Sequence, residues 1–324
     1  MGKYILKRVA MAVLTIYLVS TITFFLMNLV PGGPFLAEKA VSPQAQAAME
    51  EKYGLDKPLS VQYKNYMLGL VKGDLGLSVK QRGRTVAQII ATKFPVSARL
   101  GGLSILAAVC VGIPLGSIAA FNRGKWADNV VIFIATCGIA VPSFVICTLL
   151  LMLFGLKLGW LPTVGLNSVL HYIMPVTALA FYPTAYIARL MRSSMLDVLG
   201  QDYMRTARAK GLSKGAIIRK HALKNALIPV VTYVGMDFGA MLAGAILTVV
   251  TYLGPLLAYT LTGSFVVEKI FTIPGLGSEF VGSITGRDYP LIMGTTIFLA
   301  VLIVSMNVIV DIAYKLIDPR IKLK

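Results

Sequence analysis

The sequence predicts an all-α, polytopic membrane protein with about six transmembrane helices and a small extracytoplasmic helical subdomain. Apolar residues make up 56% of its 324 residues and charged residues only 14%, whereas an ordinary soluble domain carries about 25% charged residues. The apolar residues occur in blocks of roughly 20 or more, the length that crosses a bilayer as a helix. The net charge of +17 is concentrated between these blocks, as expected for loops beside an anionic leaflet.

The same composition excludes several kinds of site. All three cysteines, Cys110, Cys137 and Cys147, lie inside apolar blocks, which excludes a disulfide-stapled secreted fold and a clustered cysteine metal site. The two histidines, His171 and His221, are fifty positions apart, so we expect no histidine metal centre. Because the basic residues follow the membrane blocks rather than a soluble face, we also expect no nucleic-acid partner.

The first apolar block covers residues 9–30 and carries no charge over 22 positions, enough to cross about 30 Å of hydrocarbon as a helix. Three basic residues precede it. A cleavable signal peptide is the alternative, but the block exceeds the usual apolar length of about 7–15 residues. The turn sequence PGGP at 31–34 also takes the place of a small-residue cleavage site. The block therefore indicates a retained first span with a cytoplasmic N terminus.

Five further apolar blocks predict transmembrane helices. They cover about 100–121, 130–156, 172–190, part of 227–268, and 290–314. Cytoplasmic loops of membrane proteins carry an excess of Lys and Arg, which sets the orientation. With both termini and the loops 121–129 and 189–225 inside, the inner segments hold 18 of 31 basic residues against 5 of 14 acidic ones. We expect a multi-pass protein of the cell membrane with both termini in the cytoplasm.

The stretch 226–271 is too long for a single crossing. It holds 46 residues, and its sequence VVTY at 230–233 recurs at 249–252, 19 positions later. Two full crossings would place the basic C-terminal tail outside, against the charge rule. We expect one crossing plus a re-entrant or laterally packed helix, with a break at Gly254-Pro255 because proline removes a backbone donor and disfavours helix just before it.

The segment 31–95 is long for a loop of a membrane protein and carries its own helix signals. Ser42 can cap one helix that closes at Gly54, and Ser60 can cap a second helix that stops at Gly73. These signals predict the small extracytoplasmic helical subdomain. It either covers the membrane domain or offers a docking surface for an external partner, and the residues leave both possibilities open.

The segment 191–226 predicts a helix, a tight turn and a second helix beside the bilayer. Asp202 can cap a short helix through Lys210, and Gly211 supplies a left-handed exit. The small residues Ala207 and Ala209 allow that helix to approach another surface closely. A basic loop attracted to anionic lipid, a DNA-binding helix-turn-helix and a lever gripped by a cytoplasmic motor are three interpretations. Both ends of the segment are anchored close to the bilayer, which makes it awkward for a DNA-binding helix to enter the major groove.

These residues carry a resemblance to a known family. The runs RTARAKGL at 205–212 and HALKNA at 221–226, followed by Pro229, resemble the cytoplasmic EAA coupling loop of ABC-importer permeases. The similarity is greatest to the peptide/nickel branch, and within it to the B-type permease subunit of dipeptide and oligopeptide importers. Further matching motifs are FF at 24–25, PG at 31–32, GLDKP at 54–58, QY at 62–63, GDLG at 73–76, VPSF at 141–144, PGLG at 274–277, RDYP at 287–290 and DPR at 318–320.

The sequence departs from the family pattern in two places. The loop reads RTA at 205–207 where the general motif has Glu-Ala-Ala, a variant that is usual in this branch. About 19 extra residues lie around 230–268, where family members pass directly from the span after Pro229 to the PGLG turn. The resemblance otherwise covers nearly the whole chain.

The resemblance implies a function, a set of partners and a set of site residues. It implies the importer-type ABC permease fold and a subunit that forms half of the pathway of an ATP-driven peptide importer. The implied partners are a second permease subunit, two cytoplasmic ATPases and an extracytoplasmic peptide-binding protein. The implied ATPase-coupling residues are Arg205, Thr206, Ala207, Arg208, Ala209, Lys210, Gly211, Leu212, His221, Ala222 and Leu223. The organisation that follows is a tail and first helix at 1–30, an extracytoplasmic segment at 31–95, a permease core at 96–314 with its coupling loop at 191–226, and a cytoplasmic tail at 315–324.

The motifs that the sequence lacks indicate that this chain does not itself hydrolyse ATP. It contains no G-x-x-x-x-G-K-[ST] phosphate loop, so we expect no enzyme activity and no cofactor in this chain, with ATP and Mg²⁺ on the partner ATPases. Asp237 is the one ionisable residue deep within a predicted span, where a charge is costly and usually functional. With Pro142 and Ser143 it is a candidate for the pathway or the subunit interface. A stand-alone channel or secondary transporter is the alternative function, but it usually shows an inverted repeat, whereas the repeat here runs in one direction.

Overall fold

The computed structural model describes residues 2–29, 44, 50–51, 53–81, 83–211, 222–231, 234 and 264–317. Those residues are helical, apart from turns and one isolated antiparallel bridge between Leu77 and Thr85. The helices are α1 (Gly2–Leu29), α2 (Leu59–Val71), α3 (Val86–Phe121), α4 (Trp126–Ala140), α5 (Ser143–Leu150) with a π-helix at Leu151–Lys157, α6 (Leu170–Leu199), α7 (Asp202–Ala209), α8 (Leu223–Ala226), α9 (Ser264–Ile270), α10 (Leu276–Gly286) and α11 (Tyr289–Ile317). The predicted helical fold class is confirmed.

The predicted spans correspond to helices wherever the structure describes them. Within those residues, Ala10–Leu29 and Val86–Phe121 are each long and apolar enough to cross a membrane. The predicted spans 172–190 and 290–314 fall inside α6 and α11, which have 30 and 29 residues. Most of the predicted span within 227–268 lies outside the described residues, as does the predicted break at Gly254-Pro255.

The predicted span 130–156 is not one straight helix. It consists of α4 and the helix Ser143–Lys157, which are bent by 102° with respect to each other and together are apolar enough for one broken span. Val141 between them is extended, with φ −86° and ψ 121°. The following Pro142 explains the break, because its ring disfavours the helical conformation of the preceding residue.

The backbone contacts divide the chain into two compact units. We call residues 1–96 with 274–301 the N-terminal unit, and residues 97–273 with 302–324 the core unit. The helices α3 and α11 each contribute residues to both units. The domain boundaries expected from the sequence at 30, 95 and 314 stay predictions.

In the N-terminal unit, aromatic side chains hold α2 against α1. The ring of Phe24 stacks on that of Tyr66 with centroids 5.3 Å apart, and Phe25 stacks on Tyr63 at 5.4 Å. Thr21 Oγ1 and the Tyr63 hydroxyl share a hydrogen bond of 2.8 Å. The predicted second helix of segment 31–95 is thus packed on the first membrane span.

The ends of α2 correct one detail of the sequence analysis. The helix begins at Leu59, one residue before the predicted cap Ser60, and Pro58 occupies the N-cap position. The Pro58 carbonyl already accepts hydrogen bonds from the amides of Val61 and Gln62, so the first turn closes before a Ser60 cap is possible. The predicted stop is confirmed, because Gly73 has φ +78°, a conformation that favours glycine.

A buried carboxylate organises the second half of the N-terminal unit. Asp288, in the RDYP motif, is fully buried and accepts a hydrogen bond from the Ser78 hydroxyl. It also accepts hydrogen bonds from the backbone amides of Val79 at 3.1 Å, Lys80 at 3.2 Å and Leu291 at 3.3 Å. Because a buried charge is stable only when its oxygens are satisfied, this residue fixes the turn after Leu77 onto the start of α11.

Candidate functional site

The short helix α7 is the centre of the segment singled out by the sequence. It covers Asp202–Ala209 and starts with an acidic residue in its first turn, where a carboxylate interacts favourably with the positive helix end. The amide of Lys210 still bonds the Thr206 carbonyl at 3.0 Å. Gly211 then has φ +75°. The predicted short helix with a left-handed glycine exit is confirmed.

One face of α7 is buried in the core unit. Met204 is 0% exposed and Ala207 is 5% exposed, and their spacing of three residues places them on one side of the helix. Both belong to a buried apolar cluster, hereafter the α7 cluster. Its other members are Ala108, Ala120, Ala180, Ile187, Met191, Met195, Ala222, Ala226 and Val230. The surface that Ala207 approaches closely is therefore formed by α3, α6 and α8 of the same chain.

The other face of α7 is exposed. Tyr203, Thr206, Ala209 and Lys210 are accessible, and so is Gly211. Arg205 and Arg208 lie within the helix, but their side chains are outside the described part of the chain. The result is a helix of eight residues with one packed side and one accessible side.

A hydrogen bond connects the accessible side to α8. The Asn225 amide Nδ2 donates to the Tyr203 hydroxyl at 2.8 Å. Ala222 is completely buried in the α7 cluster, and Leu223 packs against it. Both apolar and polar contacts thus hold α7 against residues 222–225 at the start of α8.

The remaining predicted site residues either lie outside the described residues or lie away from the α7 cluster. Leu212, His221 and Asp237 lie outside the described residues. Pro142 is exposed and precedes α5, whose first residue is the half-buried Ser143. Neither Pro142 nor Ser143 belongs to the α7 cluster.

An ion pair near α7 was missed by the sequence analysis. Arg192, on α6, donates from Nε to Asp128 Oδ1 at 2.5 Å and from Nη2 to Asp128 Oδ2 at 2.7 Å. Asp128 is buried in the first turn of α4 and also accepts from the Gly124 amide at 3.0 Å. Such bidentate pairs are stronger and more directional than neutral hydrogen bonds. The only sequence signal was a single acid in the otherwise basic loop 121–129.

The chemistry of this region is that of a contact surface. Among the described residues, no group of three or more His, Cys, Asp or Glu side chains is placed to hold a metal ion. The region instead joins an accessible helical face to a packed interior through α7. Such an arrangement can transmit a displacement, because close-packed interiors transmit strain rather than absorb it.

Comparison with known families identifies similar sequences along the whole chain. The family model described as binding-protein-dependent transport system inner membrane component matches residues 112–250 and 244–323, and the corresponding N-terminal model matches residues 1–101. The two matches of the first model overlap at 244–250, within the stretch that contains the VVTY repeat. The extra segment noted in the sequence therefore coincides with the place where the family pattern restarts.

Two characterised relatives are similar over their full length. The chain is 45% identical to the dipeptide transport system permease protein DppB of Bacillus subtilis, covering 100% of this chain and 99% of that protein. It is 41% identical to the oligopeptide transport system permease protein OppB of Haemophilus influenzae, covering 99% and 100%. A solved structure, the inward-facing MetNI methionine ABC transporter, covers 71% of this chain and 97% of its own with a TM-score of 0.50 at 16% identity. That structure supports the fold alone.

Proposed function

This chain belongs to the family of binding-protein-dependent transport system inner membrane components, and we propose that it is the permease subunit of an ATP-driven importer of dipeptides or oligopeptides. The observation that carries the proposal is the full-length identity of 45% to a dipeptide permease and of 41% to an oligopeptide permease. In this importer the chain forms one half of the translocation pathway through the cell membrane. A second, similar permease subunit forms the other half.

The energy for transport comes from separate proteins. Two cytoplasmic ATPases bind ATP and Mg²⁺, and an extracytoplasmic binding protein delivers the peptide. This chain binds no cofactor of its own, in keeping with a sequence that lacks a phosphate loop. Both termini and α7 face the cytoplasm in this proposal, because the excess of basic residues favours that orientation.

The two faces of α7 support a role in coupling. The ATPases contact the exposed face, with Thr206 and Lys210 among its described polar side chains and with Arg205 and Arg208 as further cations. Closure of the ATPase dimer moves α7, and the buried face passes that movement to α3, α6 and α8 through the α7 cluster. The attached spans then rock as a body and open the pathway to one side of the membrane and then to the other.

The ion pair between Asp128 and Arg192 extends this coupling to α4. Arg192 lies ten residues before α7 on the helix that leads into it. Because both oxygens of Asp128 are engaged by Arg192, α4 follows α6 when α6 moves. Removing the partner of the buried Asp128 carboxylate is costly, so the two helices are expected to stay together throughout the transport cycle.

A site-specific crosslinker tests the proposed ATPase contact. A photoreactive phenylalanine derivative replaces Lys210, on the exposed face of α7, in the complete importer purified from membranes. The matched control carries the same group at Lys157, an exposed residue at the end of the π-helix in the same unit. We expect a crosslink to an ATP-hydrolysing subunit from position 210 only. A crosslink from neither position, or equal crosslinks from both, would contradict the proposal.

The cargo is tested separately. The binding protein that co-purifies with the importer is denatured, and the released ligands are identified by mass spectrometry. We expect peptides of two to several residues. Release of a metal chelate or of a non-peptide solute would overturn the peptide assignment and leave the permease assignment intact.

A further inference from the structure

The core unit contains an apolar groove between α3, α4 and α6. Its volume is about 330 Å³, and Thr177 and Thr184 are the only polar side chains among the residues that line it. Val111, on α3, and Ile134, on α4, line the groove and are still 49% and 54% exposed. The groove is therefore open along its side, and the described residues of the core unit leave it uncovered.

The size and lining of the groove suit a hydrocarbon chain. A methylene group takes roughly the 30 Å³ of one liquid water, so the groove accommodates about ten methylenes. On α3 the lining residues Ala107, Val111 and Leu115 recur at intervals of four residues, so they lie along one side of that helix. A lining of small and branched apolar side chains offers dispersion contacts but few hydrogen bonds.

One end of the groove leads to the ion pair. The stripe on α6 that lines the groove ends at Ala188, and Arg192 follows one turn later on the same side of the helix. On α4 the lining begins at Val131, and Asp128 precedes it by one turn. The bidentate pair of Asp128 and Arg192 thus lies just beyond this end of the groove.

Further basic residues lie next to this end of the groove along the chain. Arg123 and Lys125 are exposed in the turn between α3 and α4, and Arg189 is exposed directly after the groove-lining Ala188. Arg123 is close enough to Asp128 to interact with its charge. The neighbouring Trp126 is exposed as well, as is typical of tryptophans at the membrane–water boundary. The apolar groove therefore ends beside a basic rim that includes an exposed tryptophan.

We propose that this groove binds one acyl chain of an anionic phospholipid, whose headgroup phosphate is held by Arg123 and Lys125 with Arg189. Basic pockets between transmembrane helices are a recurring way of recognising anionic headgroups. The rim adds three cations to the neutral ion pair, so it favours an anionic lipid over a zwitterionic one. The bound lipid contacts α3, α4 and α6 together and stabilises their mutual arrangement. This binding does not depend on the proposed transport function.

A photoreactive lipid tests the groove. The full-length chain is reconstituted, within its complete complex, in phosphatidylcholine vesicles that contain phosphatidylglycerol with a diazirine on one acyl chain. Ile134→Trp adds bulk at an exposed groove position, and Phe133→Trp is the matched control at an exposed neighbour that does not line the groove. We expect labelling of the groove peptides to fall about tenfold in the first variant, because several methylenes lose their contacts. Labelling in the control should equal that of the parent chain.

A second pair of variants tests the rim. Arg123→Gln combined with Lys125→Gln is expected to reduce labelling by the phosphatidylglycerol probe about thirtyfold and to remove its advantage over a phosphatidylcholine probe. Lys157→Gln, at an exposed lysine away from the rim, is the control and should have no effect. Three outcomes would overturn the proposal: equal labelling of the two tryptophan variants, equal labelling by the two lipids in the parent chain, or labelling of the groove when the chain is reconstituted alone but not when it is reconstituted within the complex. The last would identify the groove as a contact between subunits.

Discussion

The two faces of α7 differ in what surrounds them, although the helix is only eight residues long. Met204 and Ala207 are buried among side chains of α3, α6 and α8, whereas Thr206 and Lys210 are accessible. Ala207 and Ala209 are chemically identical, yet only Ala207 is packed. The small residue at position 207 therefore packs in the chain's own interior, whereas the small residue at position 209 belongs to the accessible surface.

This division has a mechanical meaning. A surface helix that rests loosely on a protein tilts under load without moving what lies beneath it. The inner face of α7 is close-packed, and close-packed interiors have low compressibility. Under the proposed coupling, a force applied to Thr206 or Lys210 is passed on to the helices whose side chains share the α7 cluster with Met204 and Ala207. The following substitutions test the difference between the faces, beginning with the largest expected effect.

Met204→Asp should abolish folding of the chain. The side chain is completely buried, and an unpaired carboxylate there costs several kcal/mol, comparable with the whole stability of many proteins. We expect little monodisperse protein after detergent extraction and rapid cleavage by trypsin. Tyr203→Asp, at the adjacent exposed position, is the control and should yield folded protein. Equal loss of both variants would show that the two faces do not differ.

Ala207→Leu and Thr206→Leu separate stability from coupling. Overpacking at Ala207 should lower the stability of the purified complex by about 1–3 kcal/mol, measured as a lower unfolding temperature. Thr206→Leu, on the exposed face, should change stability by less than about 0.5 kcal/mol but reduce ATP-driven peptide uptake in reconstituted vesicles. A larger loss of stability in Thr206→Leu than in Ala207→Leu would reverse the assignment of the faces.

Gly211→Ala sharpens the comparison at the exit from the helix. The space around a Cβ at this position is open, so the cost is conformational, and φ +75° predicts a loss of about 1 kcal/mol. Gly102→Ala, where the surroundings are equally open but the backbone is that of α3, should be neutral or stabilising. Thermal unfolding of both variants measures the difference. An unchanged Gly211→Ala would mean that the turn adapts without strain.

Tyr203→Phe has the smallest expected effect. It removes the hydroxyl that accepts from Asn225 Nδ2, and an exposed hydrogen bond contributes about 0.5–1 kcal/mol. Because the two residues form one interaction, Tyr203→Phe and Asn225→Ala should not be additive. Thermal unfolding of both single variants and the double variant completes the cycle. Full additivity would mean that α7 and α8 are joined by the α7 cluster alone.

The sequence predicted those features that depend on short-range signals. The first span at 9–30, the helix from Asp202 and the left-handed Gly211 follow from apolar runs, acidic helix starts and glycine punctuation, each contained within a few residues. The break at Val141-Pro142 also carried a local signal, the proline itself, which favours a kink over a straight helix. The coupling role of residues 205–223 stays a prediction.

The features that the sequence did not predict depend on distant partners. Asp128 and Arg192 are separated by 64 positions, and nothing local in either helix selects the other residue as its partner. The same holds for Asp288, whose hydrogen bonds reach back to Ser78, Val79 and Lys80. For α7, helical periodicity groups Met204 with Ala207, but only the fold determines that this side is the one that turns inward.

The pair of Asp128 and Arg192 constrains how this protein can evolve. Loss of either side chain alone leaves the other, a buried carboxylate or a guanidinium, without its ion-pair partner. A substitution at one position therefore lowers the stability of the fold before the second position can change in compensation. The two positions can be exchanged only together, for example by a reciprocal swap or by joint replacement with apolar residues. Related sequences should therefore retain both residues or neither. In a sequence with only one of the two, we expect the packing of α4 against α6 to differ.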